Sequence, residues 1–362
     1  MTILIIGGGV AGCSLAIRLR QLGIDVDLAE KEVFPRSKAC GCCIGVAGLE
    51  SLRDLGVLDA AMSVSMTTNR WCASIGNRLL EIDLPAGIAI SREVLDPLLM
   101  DAAMTGGANI FTPCNATVSC VRQDRVEVKL ICDGNTRTAK YDCVIVASGL
   151  RAGSVQDMLP WIETPHGPFG ISFTADSDDI QTQRIYMACD DDGYVGLVQL
   201  GDGRVDVAAA LQSGGMSASK GNPITRVEAI LSRSQFAPVD LTNRSPALTT
   251  PPLRRSREAG CGRLLAVGDA AGYVEPFTGE GMTWAMQSAI AAADLIADAI
   301  DDLQSVGDRW NQTQAALLAR KKRNCRLVTS ALRSPLARSF AARTLSVFPA
   351  LAQPLVRSLN RA

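Results

Sequence analysis

The chain has 362 residues, enough for two domains or one large domain with a subdomain. A net charge of −1 gives no global pull toward nucleic acid, and 47% hydrophobic residues describe an ordinary globular chain with ample core. The one histidine, His166, stands in a turn-like setting and excludes mechanisms that need two; twelve cysteines, scattered through so long a chain, read as small buried hydrophobes with reduced thiols rather than a disulfide scaffold. No metal site is expected. The first strand begins at residue 2, leaving no room for a signal peptide, and no apolar run reaches eighteen residues. A cytoplasmic protein without a transmembrane helix is the expectation.

Residues 2–6 form an apolar, β-branched run of strand length, followed by a glycine-rich turn and an amphipathic helix over 13–22. Gly7, Gly9 and Gly12 have the G-x-G-x-x-G spacing of a dinucleotide-binding turn. The first glycine permits the tight turn, the second lets the backbone approach a pyrophosphate, and the third allows the helix to pack closely on the strand. The helix N-terminus offers unpaired N–H groups to the phosphates. After Gly23, residues 24–29 read as a second strand ending at Glu30, eighteen residues beyond Gly12. An acid at that place suits the hydroxyls of an unphosphorylated ribose. A ligand with an adenosine diphosphate moiety is expected.

Residues 33–45, with Cys40, Cys42 and Cys43, suit a loop. Cys40 and Cys43 form a C-x-x-C pair without the second pair a zinc site wants, which leaves a redox pair or a plain loop crossing the cofactor. A helix over 46–55 stops at Gly56, and residues 71–84 read as a hairpin about Gly76 and Asn77. Ser91 is the expected N-cap of a helix carrying Glu93 and Asp96 in its first turns, kinked at Pro97. Short strands are expected over 108–111 and 117–122, and a hairpin pairs 126–132 with 136–141 across Asp133 and Gly134. Residues 142–149 read as a parallel strand buried on both faces.

From about 171 to 211 the pattern becomes a β-meander, with strands over 184–189, 194–200 and 204–211. A helix over 224–233 and an extended stretch over 245–253 follow. Residues 263–271 then form a strand and turn that return to the first domain, 272–281 a glycine-bearing loop, and 282–301 a long alanine-rich helix. From Ala319 onward there are ten Lys or Arg residues and no acid. That segment reads as short amphipathic helices, forming either a solvated basic cover for the second domain or a peripheral contact with an anionic membrane through residues 319–362.

Four motifs together carry a family resemblance. They are Gly7, Gly9 and Gly12 with Glu30; Pro35, Arg36, Lys38, Cys40 and Gly41; Arg92 with Asp96; and Gly268, Asp269 and Gly272 followed by Pro276, Thr278, Gly279, Glu280 and Gly281. The chain resembles FAD-dependent oxidoreductases of the glutathione-reductase structural type, and within them geranylgeranyl reductase-like proteins, flavin monooxygenases and flavin halogenases. The resemblance implies an α/β fold, with a Rossmann-like FAD-binding domain and a second substrate domain built on a mostly antiparallel sheet. The FAD domain would comprise 1–65, 88–165 and 255–305, the substrate domain 66–87 and 166–254, and a basic helical region 306–362. It also implies that Arg36, Lys38, Cys40, Gly41 and Arg92 face the cofactor. Asp269, after Gly268, would accept from the ribityl hydroxyls of the flavin. The N–H groups of Gly279, Gly281 and Met282, at the start of a helix, would face its pyrimidine edge.

The sequence departs from each branch. Ser148 replaces the Asp of flavin hydroxylases, the halogenase W-x-W-x-I-P signature is absent, and at 194–199 the Trp and Pro of the reductase branch are lost. The resulting expectation is an NAD(P)H-dependent monooxygenase acting on an apolar aromatic or lipidic small molecule. Reduction of carbon–carbon double bonds is the alternative, and a flavin-free NAD(P)-dependent dehydrogenase a further one. The substrate pocket is expected between the meander's inner face and the 276–281 loop, with Tyr194, Trp284 and Pro276 as liners, the two aromatics being equally readable as core.

Overall fold

In the computed structural model, which describes residues 1–163, 167–213, 221–275, 277, 279–354 and 356, the apolar runs of the sequence become neighbouring strands. β1 (Ile3–Ile6) pairs in parallel with Cys143–Val146 on one side and with β2 (Val26–Ala29) on the other. Leu264–Ala266 and Asn109–Phe111 extend the parallel sheet outward, and Gly260–Cys261 closes one edge antiparallel. Every residue of β1 and of Cys143–Val146 is buried, so these strands are apolar throughout rather than alternating. Helix α1 (Val10–Gln21) packs against both Arg92–Thr105 and Gly281–Asp298. The turn between β1 and α1 demands glycine. Gly7 has φ +109° with Ala147 O only 2.8 Å from where a β-carbon would sit, and a β-carbon on Gly12 would strike the Gly7 carbonyl.

The second sheet has eight strands, in the order Leu248–Pro252, Phe169–Ala175, Val205–Leu211, Gly193–Gln199, Arg184–Cys189, Met66–Ile75, Arg78–Ala89 and Cys43–Ile44. All its pairs are antiparallel except Arg184–Cys189 with Met66–Ile75. The expected hairpin about Gly76 is thus longer than its apolar runs suggest and joins the meander edge to edge. One sheet face buries Phe173, Val195 and Val207 against Val227 and Ile230 of the helix Pro223–Ser232. The opposite face lines a cavity.

Three expectations need correction. Cys114 and Cys132 face each other across neighbouring antiparallel strands, Cα–Cα 4.2 Å, and form a disulfide, so the thiols are not all reduced. Strand register brings them together, and a separation of 18 in sequence gives no hint of it. Ser91 stands at the N-cap in extended conformation, but its buried hydroxyl makes no capping hydrogen bond. The basic segment is not a series of short helices. Its first part is the end of a 28-residue helix, Val306–Arg333, after which Ser334 caps a second helix, Pro335–Val347. His166 lies outside the described residues. Among the described residues no helix is long and apolar enough to cross a membrane.

The long helix is anchored on the parallel sheet. Trp310 is fully buried and its Nε1–H donates to Ala266 O at 2.8 Å, while Asn311 Nδ2 donates to Gly260 O at 2.9 Å. The chain then crosses to the hairpin Met66–Ala89, where Leu345, Ala352 and Val356 pack around Trp71 and Ile82. Replacing Trp310 with Ala removes a large buried side chain and orphans a buried carbonyl. The loss expected in urea denaturation is about 3–5 kcal/mol.

Candidate active site

One continuous cavity of about 1100 Å³ connects the β1–α1 turn with the inner face of the eight-stranded sheet. At the turn it is lined by Gly7, Gly9, Val10 and Glu30. The Glu30 carboxylate is fixed at both oxygens, Oε2 accepting from Gly8 N at 2.7 Å and Oε1 from Glu32 N at 2.9 Å. No acid occupies the first turn of α1, and its N-terminus faces the cavity beside the Glu30 carboxylate.

Two cations stand over Gly9. A β-carbon there would lie 3.2 Å from Arg92 Nη2 and 3.4 Å from Lys38 Nζ. Both cations are held by Asp96, which is wholly buried. Arg92 Nε and Nη2 reach Asp96 Oδ1 and Oδ2 at 2.7 and 2.9 Å, and Lys38 Nζ reaches Oδ2 at 2.7 Å. Burial alone would raise the Asp96 carboxyl, but Arg92 and Lys38 overcome it and hold the group below its ordinary range. Burial also lowers Lys38. Asp96 thus holds two cations beside a helix N-terminus, with the Glu30 carboxylate at the same turn. Arg36 lines the same space with a buried Nε that has no partner among the described residues. A bare glycine, two clamped cations over it and an orphaned guanidinium donor fit the diphosphate of a dinucleotide.

Farther along, Gly268 (φ +57°) and Asp269 form a 3-10 turn after the strand Leu264–Ala266. Asp269 lines the cavity, and burial pushes its carboxyl up to about 7 against the pull of Arg92. Gly279, Gly281 and Met282 line it too, at the start of the helix Gly281–Asp298. Gly12 and Gly268 do not reach the cavity; they bring α1, β1 and the Gly281–Asp298 helix into contact. Cys40 and Gly41 form part of the wall, with Cys42 N donating to Cys40 Sγ at 3.4 Å and Cys40 N to Ser172 Oγ at 3.3 Å. Hydrogen bonding from Cys42, helped by Arg92, brings the Cys40 thiol down to about 6 despite its burial. Burial pushes Cys43 up. Among the described residues no three His, Cys, Asp or Glu side chains are grouped to hold a metal ion.

The far end is an apolar chamber. Tyr194 and Trp71 both meet Phe277 edge-on, at centroid distances of 5.1 and 6.1 Å. Ile82 and Met187 continue the wall, and Leu332 and Leu345 of the C-terminal helices close it. Tyr194 is a liner as expected from the meander, with a buried hydroxyl that has no partner among the described residues. Trp284 is not. In the helix Gly281–Asp298, Gly281, Met282 and Ala285 face the cavity, and Trp284 stands about 100° from Ala285. It packs on Val274 and Leu318, and its Nε1–H donates to Glu280 Oε2 at 3.0 Å. Pro276 and Thr278 lie outside the described residues.

Two groups of lining residues escape a motif-based reading. Asp206 is one. Along Val205–Leu211 the odd positions enter the core, so period-two alternation alone turns Asp206 to the cavity, where burial raises its carboxyl. The other is the C-terminal wall, whose Val328, Leu332, Ala342 and Leu345 stand at helical spacings within each helix.

Comparison with known proteins agrees with this geometry. Residues 1–306 match the family described as FAD binding domain. The chain is 26% identical over 326 residues to conditioned medium factor receptor 1 of Dictyostelium discoideum, covering 80% of this chain but only 62% of that protein. It is 26% identical over 313 residues to digeranylgeranylglycerophospholipid reductase 2 of Methanothermobacter thermautotrophicus (strain Delta H), covering 83% and 78% of the two chains. The fold superposes on p-nitrophenol 4-monooxygenase from Pseudomonas putida DLL-E4 with a TM-score of 0.81, at 16% identity and 100% coverage of both chains. The chain belongs to the FAD binding domain family of FAD-dependent oxidoreductases. Its cofactor is FAD.

Glu280 gives the site a pH signature. Burial raises its carboxyl from 4.5 to about 7, against the hydrogen bond from Trp284. Between those values the native state holds a proton that the unfolded state has lost, so this contribution to stability is complete below about pH 4 and disappears as pH rises through about 7. Thermal midpoints measured from pH 5 to 8 should fall for the wild type and fall less steeply for Glu280→Gln, which keeps an acceptor for Trp284.

Proposed function

We propose that the protein is an NAD(P)H-dependent FAD enzyme that reduces carbon–carbon double bonds in an apolar, lipid-like small molecule. The observation that carries this reading is the continuity of the dinucleotide cradle with a chamber walled by Trp71, Ile82, Met187, Phe277 and Leu345. Such a chamber buries a hydrocarbon chain and offers little to a charged metabolite. The sequence relative named as a digeranylgeranylglycerophospholipid reductase supports a lipid substrate. The basic, acid-free stretch from Ala319 onward supports peripheral contact with an anionic membrane. Membership of an FAD family leaves the flavin-free dehydrogenase reading without support.

In this reading Arg36, Lys38 and Arg92, with the first N–H groups of α1, would hold the diphosphate, and Glu30 the adenosine ribose. Asp269 would accept from the ribityl chain. Gly279, Gly281 and Met282 would set backbone N–H groups and a helix N-terminus against the pyrimidine edge. FAD, when bound, carries electron pairs from a nicotinamide donor to the substrate. The residues around it position the double bond, exclude water and supply a proton. Cys40 Sγ, in the cavity wall with its thiol lowered by hydrogen bonding from Cys42, is the proposed donor.

The edge-on trio of Trp71, Phe277 and Tyr194 favours a second reading, hydroxylation of a flat aromatic substrate. Anaerobic reduction by NADH or NADPH, followed by either an isoprenoid alkene or oxygen, separates the two. The reductase reading expects the alkene to restore the oxidised flavin spectrum and yield saturated product without oxygen. Oxygen uptake coupled to a hydroxylated aromatic product, with no response to alkenes, would establish the second reading instead. With Cys40 as donor, turnover falls as pH rises, with a midpoint below the ordinary thiol range, and Cys40→Ser loses that limb together with about 100-fold in rate.

A further inference from the structure

The helix Pro335–Val347 is apolar on two faces. On the inner face Ala341, Ala342 and Leu345 line the chamber. On the outer face Leu336, Phe340, Arg343 and Val347 follow one another at steps of four, three and four residues, which puts them in one stripe. That stripe is open, with Leu336 85%, Phe340 72% and Val347 63% exposed. Phe348 and Leu351 continue it, each 60% exposed. A water-soluble protein seldom presents so many large apolar side chains in one place. The charge carried by the C-terminal segment itself has one sign. Arg320, Arg323, Arg326 and Arg343 are exposed, and from Ala319 to the end the chain has no acid.

We infer that this outer stripe docks on an anionic lipid bilayer and that the same helix is the wall past which a lipid enters the chamber. The direction of entry rests on the proposed substrate class; the docking surface does not. Phe340 and Leu336 would enter the headgroup–acyl boundary while the arginines neutralise lipid phosphates, the arrangement of an in-plane amphipathic helix. A second copy of the chain is the poorer occupant, because a two-fold contact would bring two acid-free basic segments together without counter-charge. Few polar ties hold the helix in place. Arg338 pairs with the exposed Asp191, and Arg78 Nη1 donates to Ser346 Oγ at 3.2 Å. Displacing it by a membrane therefore breaks apolar packing rather than a buried ionic network.

The test uses the full-length, FAD-loaded protein and sedimentation with phosphatidylcholine vesicles, with and without phosphatidylglycerol. The wild type should partition onto the anionic vesicles at low salt and leave them at high salt. Leu336→Ser/Phe340→Ser and, separately, Arg323→Glu/Arg343→Glu should each lower the partition at least tenfold, with flavin content and reduction by the nicotinamide donor unchanged. All four positions are exposed, so retained flavin reports a retained fold. The inference is overturned if the wild type stays in the supernatant, if both variants bind as the wild type does, or if gel filtration shows a dimer that the serine variant splits without any vesicle binding. Binding by the wild type with release by both variants upholds the docking face whether or not a lipid acceptor is turned over.

Discussion

A wholly buried carboxylate, Asp96, fixes two cations above the first strand–helix turn, and the rest of the cofactor cradle depends on it. Its desolvation is offset only because Arg92 closes on both oxygens and Lys38 on one, from a loop that the same ion pair draws inward. That loop continues into Cys40 and Gly41, so the clamp beside the strand–helix turn also sets where this loop meets the cavity wall. Removing either cation would leave the other to carry the balance, whereas removing the carboxylate would leave two like charges facing each other.

The second sheet and the C-terminal helices depend on a weaker principle, the fit of apolar surfaces. The sheet's back is sealed by its own helix, and its front is closed by residues that arrive from the far end of the chain. Val306–Arg333 is fastened to the parallel sheet through Trp310 and Asn311, and only then does the chain cross to the chamber. The cofactor end is therefore ionic and locked. The far end is apolar and held by packing.

The first strand–turn–helix unit was largely legible in the sequence because its signals are local. Gly7, Gly9 and Gly12 answer to contacts within one strand–turn–helix unit, and Glu30 ends the next strand in register. Asp133 and Gly134 form the expected turn with φ +51° and +78°. What was not legible depends on where separate segments meet. The direction of Trp284 follows from which face of Gly281–Asp298 packs against Val274 and Leu318. The Cys114–Cys132 bridge follows from strand register, and the hairpin Met66–Ala89 joins the meander through a parallel pair that neither segment advertises. The C-terminal helices carried a clear basic signal, but the small apolar residues that line the chamber were indistinguishable from ordinary helix packing. Asp206 was within reach, since alternation along its strand turns it inward, yet no motif drew attention to it.

The central claim is that one cavity joins the FAD cradle to a hydrocarbon-binding chamber. Titrating the FAD-loaded protein with an isoprenoid ligand, while following the visible spectrum of the flavin, tests it directly. The account predicts a saturable spectral shift in the wild type, and its loss in Leu345→Trp, which fills the chamber and leaves flavin content unchanged. A spectrum indifferent to the ligand, or a shift that survives Leu345→Trp undiminished, would contradict it.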